Sequence, residues 1–168
     1  LTRLLLPSGL RVIGTTRSPD ALDRLTATGV EARLFPATAP PEGLEHASHL
    51  LISAGPDAQG DPVLRTLGSE IRDLAPRLKW VGYLSTTGVY GDHGGGWVDE
   101  ATPLAPSTRR GEWRQAAEAQ WQAIPDLPLH IFRLAGIYGP SRGPFAKVRA
   151  GSARRIIKPG QVFSRIHV

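Results

Sequence analysis

Three consecutive hydroxyl residues, Ser85, Thr86 and Thr87, follow the apolar run Trp80-Val81-Gly82-Tyr83-Leu84, and a phenol, Tyr90, comes three residues later. A hydroxyl donating to a substrate oxygen stabilises the charge that develops there in a transition state. A phenol can carry a proton, and Asp92 and His93 are the next nearest groups able to do so. Arg110 and Arg114 lie four apart on an expected helix and therefore share a face. A guanidinium does not act as an acid–base near neutrality, but it clamps phosphate or carboxylate and stabilises an oxyanion. A solvated basic helix face is the plain alternative.

Two further segments read as ligand contacts. Thr16-Arg17-Ser18 follows the first expected strand. In dinucleotide-binding folds an acid at this place holds the adenosine 2′-hydroxyl, whereas an arginine accommodates a 2′-phosphate. No acid ends this strand, so NADP is favoured over NAD, against the alternative of an ordinary exposed arginine. Ser53-Ala54-Gly55 ends another apolar run with small residues, which permits close approach of a ligand or simply makes a turn.

The elements that must carry these residues alternate. Strands are expected at Leu10–Thr15, Val30–Phe35, His49–Ala54, Leu78–Ser85 and Leu129–Leu134. The apolar His49–Ala54 reads as a strand buried on both faces. Between the strands lie helices: one opening at Ser18-Pro19-Asp20 with Ser18 as N-cap and ending at Gly29, one opening at Asp61-Pro62, and one over Arg110–Ala123. Leu1–Leu6 reads as the end of a helix, Pro36–Gly43 as a loop, and a short helix is expected around Phe145–Ala150. Alternation at this spacing predicts an α/β fold with a doubly wound parallel sheet, Rossmann-like, in a single domain over residues 1–168. Ligands of such sheets sit at the carboxyl ends of the strands, where Thr16, Ser53, Ser85 and Thr86 fall.

Composition narrows the partners. Apolar residues make up 40% of the 168, and no run reaches the roughly 18 residues of a membrane span. Cysteine is absent, which removes thiolate metal sites and disulfides and fits a cytoplasmic setting. His46 and His49 are the nearest approach to a metal pair, and a solvent-facing role is the favoured reading, so no metal is expected. The net charge of +5 raises nucleic acid as a partner, but the arginines are scattered and lack aromatic interleaving. Their one local cluster runs from Arg142 to Lys158, with Lys147, Arg149, Arg154 and Arg155 between. An anionic cofactor or nucleotide accounts for it equally well. Methionine is absent too, position 1 included, so the chain is expected to be a fragment, a processed chain, or a sequence with residues left out.

Thr86 three residues before Val89-Tyr90-Gly91, together with Arg133-Leu134-Ala135-Gly136-Ile137-Tyr138-Gly139-Pro140, resembles the extended short-chain dehydrogenase/reductases, the superfamily of NAD(P)-dependent epimerases and dehydratases. The resemblance implies that Thr86 orients the substrate oxygen and that Ser53, Ala54, Gly55, Ser85, Ile137 and Tyr138 border the cofactor. It also implies a Tyr and a Lys on the following helix, where this chain has Arg110 and Arg114. The active site is thus atypical, with Thr86, Tyr90, Arg110 and Arg114 as its candidate residues. The family's glycine-rich turn and first strand have no counterpart before Leu1, and Phe163–Val168 resembles the approach to an "HVxD" turn whose Asp would follow. The resemblance thus implies a missing central strand, a gap in the ladder that weakens cofactor binding, and a missing C-terminal substrate portion. The implied activity is that of an epimerase, dehydratase or reductase acting on a small molecule, a nucleotide sugar being one class, with a homodimer compatible. The alternative is a cofactor-binding redox sensor or regulatory module without turnover.

Overall fold

A computed structural model describes residues 2–35, 39–140, 142–155, 157, 159–160 and 162–168, with the side chains of Arg3 and Pro144 left aside. Lys158 of the basic cluster and residues 36–38 of the expected loop lie outside the described residues. The chain opens on a one-turn helix α1 (Thr2–Leu5), followed by β1 (Ile13–Thr16), α2 (Pro19–Thr26), β2 (Glu31–Leu34) and β3 (His49–Ile52). Then come α3 (Pro62–Leu74), β4 (Trp80–Thr86), α4 (Arg109–Gln122), β5 (Leu129–Leu134), β6 (Gly136–Tyr138), α5 (Pro144–Arg149) and β7 (Arg165–His167). Every strand pairing is parallel.

Local chemistry explains the helix starts. Asp61 accepts from the backbone N–H groups of Val63 and Leu64, satisfying two of the orphan donors of α3, and Pro62 supplies the preset φ of a first helical residue. Thr108 caps α4 by accepting from the N–H of Gly111. Ser18 occupies the N-cap of α2, but its side chain makes no capping bond; its own N–H donates to the Thr16 hydroxyl at 3.2 Å.

The core lies where β3, β4 and β5 meet α3 and α4. Register aligns Leu50 with Val81 and Leu129, and Ile52 with Tyr83 and Ile131, on one sheet face. Against that face pack Leu67, Ile71 and Leu74 of α3 and Ala117 and Trp121 of α4. Burying each leucine or isoleucine here contributes about 1.5–3 kcal/mol. The opposite face is less covered. There Trp80 lies flat across Gly82, where a Cβ would meet the indole at 2.1 Å, and it stacks on His130 with ring centroids 5.9 Å apart. Leu51 and Phe132 on this face are each 41% exposed. The expectation that β3 is buried on both faces therefore does not hold: only alternate residues are covered, because α3 and α4 pack against one side.

The sheet is divided. β1 pairs with β2, and β3–β4–β5 form a second sheet, with no pairing between the two among the described residues. The division falls between β1 and β3, where the resemblance implies an intervening strand. β6 and β7 form a separate parallel pair that the sequence pattern did not suggest.

Candidate functional site

Parallel pairing in register brings the carboxyl ends of β3, β4 and β5 to one rim. Ser53, Ala54 and Gly55 follow β3, Ser85 and Thr86 end β4, and Ser85 pairs with Arg133 and Thr86 with Leu134 across to β5. After β4 the chain makes a turn of 3-10 helix over Thr87–Val89, whose first free N–H, that of Gly88, donates to the Thr86 hydroxyl at 3.2 Å. That turn puts Tyr90 back against the rim. Gly91 closes it at a φ of +81°, and a Cβ there would stand 2.0 Å from the carbonyl oxygen of Ala105. Only glycine meets both demands.

Under the rim runs a chain of charged and polar groups. Glu118 of α4 is 1% exposed and sits in the helix's apolar stripe beside Ala117 and Trp121. A carboxylate cannot be left there unpaired. Arg133 answers it with a two-pronged contact, Nη2 donating at 2.9 Å and Nε at 3.2 Å to Oε2. The buried Ser85 hydroxyl donates to the other carboxylate oxygen. Arg133 then donates from Nη1 to the Tyr90 phenol oxygen at 2.9 Å, with its guanidinium carbon 5.0 Å from the Tyr90 ring centre. The bond to Glu118 holds the Arg133 pKa well above its ordinary value. An arginine can only donate, so the Tyr90 oxygen accepts and its own proton remains free for another acceptor.

Arg114 makes a second inward contact. Its Nη1 donates to the Tyr83 phenol oxygen at 3.1 Å and to the Leu84 carbonyl at 3.0 Å. Its guanidinium passes close to Gly55, where a Cβ would lie 3.3 Å from Nη2. Tyr83 is fully buried, and burial pushes its phenol up to about 12, with Arg114 opposing the rise and Asp61 adding to it. Arg110 instead stays exposed, so the two arginines of the expected pair part company: one turns to the strand end, the other to solvent.

The remaining expected residues are spread more widely. Thr16, Arg17 and Ser18 close β1, in the other sheet, and Arg17 is exposed without an ion pair among the described residues. Ile137 and Tyr138 form β6, with Tyr138 packed edge-on to His167. Thr87, Tyr90 and Arg133 border a cleft of about 870 Å³, walled by Trp97–Glu100 and by Val162–Ser164. Tyr138 borders a different one. His93 pairs through Nε2 with the Tyr90 carbonyl at 3.1 Å, and the Asp92 carboxylate accepts from the N–H of Gly94. Among the described residues no cluster of His, Asp or Glu could hold a metal ion. Glu118 and Arg133 escaped the sequence reading as site residues. The available signal was an acid within the apolar stripe of α4 and an arginine within β5, each requiring the other.

No family model matches the chain. It is 30% identical over 149 residues to protein YeeZ of Escherichia coli K12, covering 81% of this chain and 53% of YeeZ. It spans about half the length of the curated relatives it matches. A solved structure of a functionally unknown conserved protein from Silicibacter pomeroyi DSS is 60% identical, with a TM-score of 0.92 over 99% of this chain and 58% of that one. The dTDP-glucose 4,6-dehydratase of Bacillus anthracis, solved with NAD, superposes with a TM-score of 0.66 at 20% identity, over 88% of this chain and 56% of its own.

Proposed function

This chain carries the fold of the NAD-dependent epimerases and dehydratases of the extended short-chain dehydrogenase/reductase superfamily, and from that premise we propose that it belongs to an NAD(P)-binding oxidoreductase or epimerase with an atypical active site. The reading rests above all on one observation: Tyr90, beside the Thr86 strand end, is gripped by an arginine that is itself anchored on a buried carboxylate.

The donor set suits a dinucleotide in part. Ser53, Ala54 and Gly55 offer a small-residue surface at a strand end, and Arg17 with Thr16 and Ser18 offers charge and hydroxyls for a ribose phosphate, which favours NADP. Ser85, Ile137 and Tyr138 would border the nicotinamide end. When bound, the cofactor supplies the hydride acceptor or donor. Thr86, whose oxygen accepts from the Gly88 N–H, keeps its hydroxyl proton to donate to the substrate oxygen. Tyr90, with Arg133 occupying its lone pair, presents its proton to that oxygen as a carbonyl is reduced, or takes it as an alcohol is oxidised. Arg114 cannot carry a proton at neutral pH, and it holds the Leu84 carbonyl and the Tyr83 phenol in place. Arg110, on the outer turn, can meet only an anionic part of the substrate. The UDP-glucuronic acid 4-epimerase of Bacillus cereus, solved with a UDP-glucuronic acid analogue and NAD, shares this fold, and this supports a nucleotide sugar as the substrate class.

The test is NADPH and NADH binding to the full natural protein by nicotinamide fluorescence, followed by turnover on a panel of nucleotide sugars and simple ketones. Binding with turnover that falls at least ~100-fold in Tyr90→Phe supports the reading. Undiminished turnover in Tyr90→Phe removes it as the proton donor. A second reading, a cofactor-binding sensor without turnover, is favoured by Arg114 standing where the family has a lysine and being spent on protein groups. Binding without any nicotinamide oxidation would establish that one.

A further inference from the structure

Charge is unevenly divided along this chain. All fifteen acids precede Leu127, whereas eight of the twenty Lys and Arg residues follow it. Of those eight, Arg133 is spent on the buried Glu118. Arg142, Lys147, Arg149, Arg154, Arg155 and Arg165 are exposed and make no ion pair among the described residues. A block of cations left without acids on one part of a chain marks a surface for a polyanion.

The fold also supplies the aromatic interleaving that the linear order of the arginines lacks. Pairing of β6 with β7 sets Gly136 opposite Arg165, so the chain around Phe163 and Arg165 returns beside the strand that leads toward α5. Arg142, Phe145, Arg149 and Arg165 then wall one cleft of about 520 Å³ whose lining has no acid. Phe145 is 77% and Phe163 63% exposed, although rings of this size are usually covered. The Arg165 guanidinium carbon lies 5.7 Å from the centre of the Phe163 ring. Backbone bonds hold the arrangement. Gly139 and Arg142 exchange both, at 2.8 and 3.0 Å, which sets the turn carrying Arg142. At the other end of α5 the Ser152 N–H donates to the Lys147 carbonyl at 3.0 Å, folding the chain back just before Arg154 and Arg155.

Five of these six exposed cations are arginines, whose planar forks grip phosphate oxygens two at a time. An exposed ring takes the face of a base, and only an unpaired strand leaves base faces open to it. An anionic membrane is a poorer match, because α5 spans six residues, under two turns, and offers no long amphipathic face. We propose that α5, β7 and the segment after α5 form a docking surface for single-stranded nucleic acid, with the arginines on its phosphates and Phe145 and Phe163 stacked on its bases. The surface goes beyond the dinucleotide reading and does not depend on it.

Fluorescence anisotropy of the full natural protein with labelled thymidine and uridine oligomers of about twelve nucleotides tests the surface. Both strands are expected to bind more tightly than a duplex of the same length. Log affinity should fall linearly with log salt, with a slope of about −0.7 for each phosphate neutralised. Arg154→Ala/Arg155→Ala should weaken binding at least ~10-fold and flatten that slope by about 1.4. Phe145→Ala should weaken the single strands at least ~5-fold and leave the slope unchanged, since it removes a stack and no charge. All these side chains are exposed, so the variants should keep the thermal midpoint of the parent. Absence of oligonucleotide binding, equal binding of duplex and single strand, or an unaltered slope in the double variant overturns the proposal. Retention on phosphatidylserine vesicles with no oligonucleotide bound would likewise overturn it. Oligonucleotide binding that persists where NADPH fails to bind supports the surface and counts only against the cofactor reading.

Discussion

At the scale of single residues, Glu118 is the pivot. Removing its charge leaves Arg133 facing an apolar stripe, and breaking a buried pair typically costs 3–5 kcal/mol. Arg133 keeps 18% of its side-chain exposure, so Glu118→Gln should destabilise by roughly 2–3 kcal/mol, read as a lower urea midpoint at unchanged slope. Tyr83 gives a pH signature. Its phenol titrates at about 12 in the folded chain against 10.0 ordinarily. The folded state therefore favours the protonated form: the stabilisation is complete below pH 10 and is lost as pH rises toward 12. Two pH units correspond to roughly 2–3 kcal/mol, a decline that denaturation at stepped alkaline pH should record and Tyr83→Phe should flatten. These groups were only half legible. The hydroxyls and Tyr90 stood out because they follow a strand, but the partnership of Glu118 with Arg133 spans a helix and a strand and has no local signature.

At the scale of elements, the close seating of α4 on the rim is what delivers Glu118 and Arg114 to their partners. Gly111 makes it possible: a Cβ there would stand 2.9 Å from the Gly88 carbonyl oxygen and 2.8 Å from the Pro106 Cβ. Gly111→Ala should raise intrinsic helix propensity yet destabilise the protein by about 1–3 kcal/mol, because the first turn must lift off the loop. Thr108→Ala, which removes only the cap, should cost about 1 kcal/mol. Equilibrium denaturation of both variants separates the two effects. The helices and most strands were readable because Asp61-Pro62 and the 3.6-residue apolar spacing are local facts. The boundaries of β3 were not: its pairing ends at Ile52 opposite Tyr83, although β4 runs on to Thr86 against β5. The β6–β7 pair joins residues nearly thirty apart by sequence number, and only tertiary contact reveals it.

At the scale of the whole molecule, stability is unevenly placed. The tightly packed cluster belongs to β3–β5 with α3 and α4, whereas β1, β2 and α2 contribute few buried side chains to it, Phe35 after β2 being the chief one. Hydrogen exchange should accordingly show the amides of β1 and β2 opening well before those of β4, and equal protection across both sheets would contradict the packing described. Alternation of strands and helices made the fold class legible, but not that the second face is covered only in part, by Trp80 across Gly82, with Leu51 and Phe132 left half-exposed. No helix of the described residues is long and apolar enough to cross a membrane. The divided ladder carries a further cost. β1 and β3 each have a side without a strand partner among the described residues. Such a selvedge templates extended peptides, so concentrated solutions of the 168-residue polypeptide should scatter light increasingly with time, and a short β-forming peptide added in excess should slow that growth by occupying the slot.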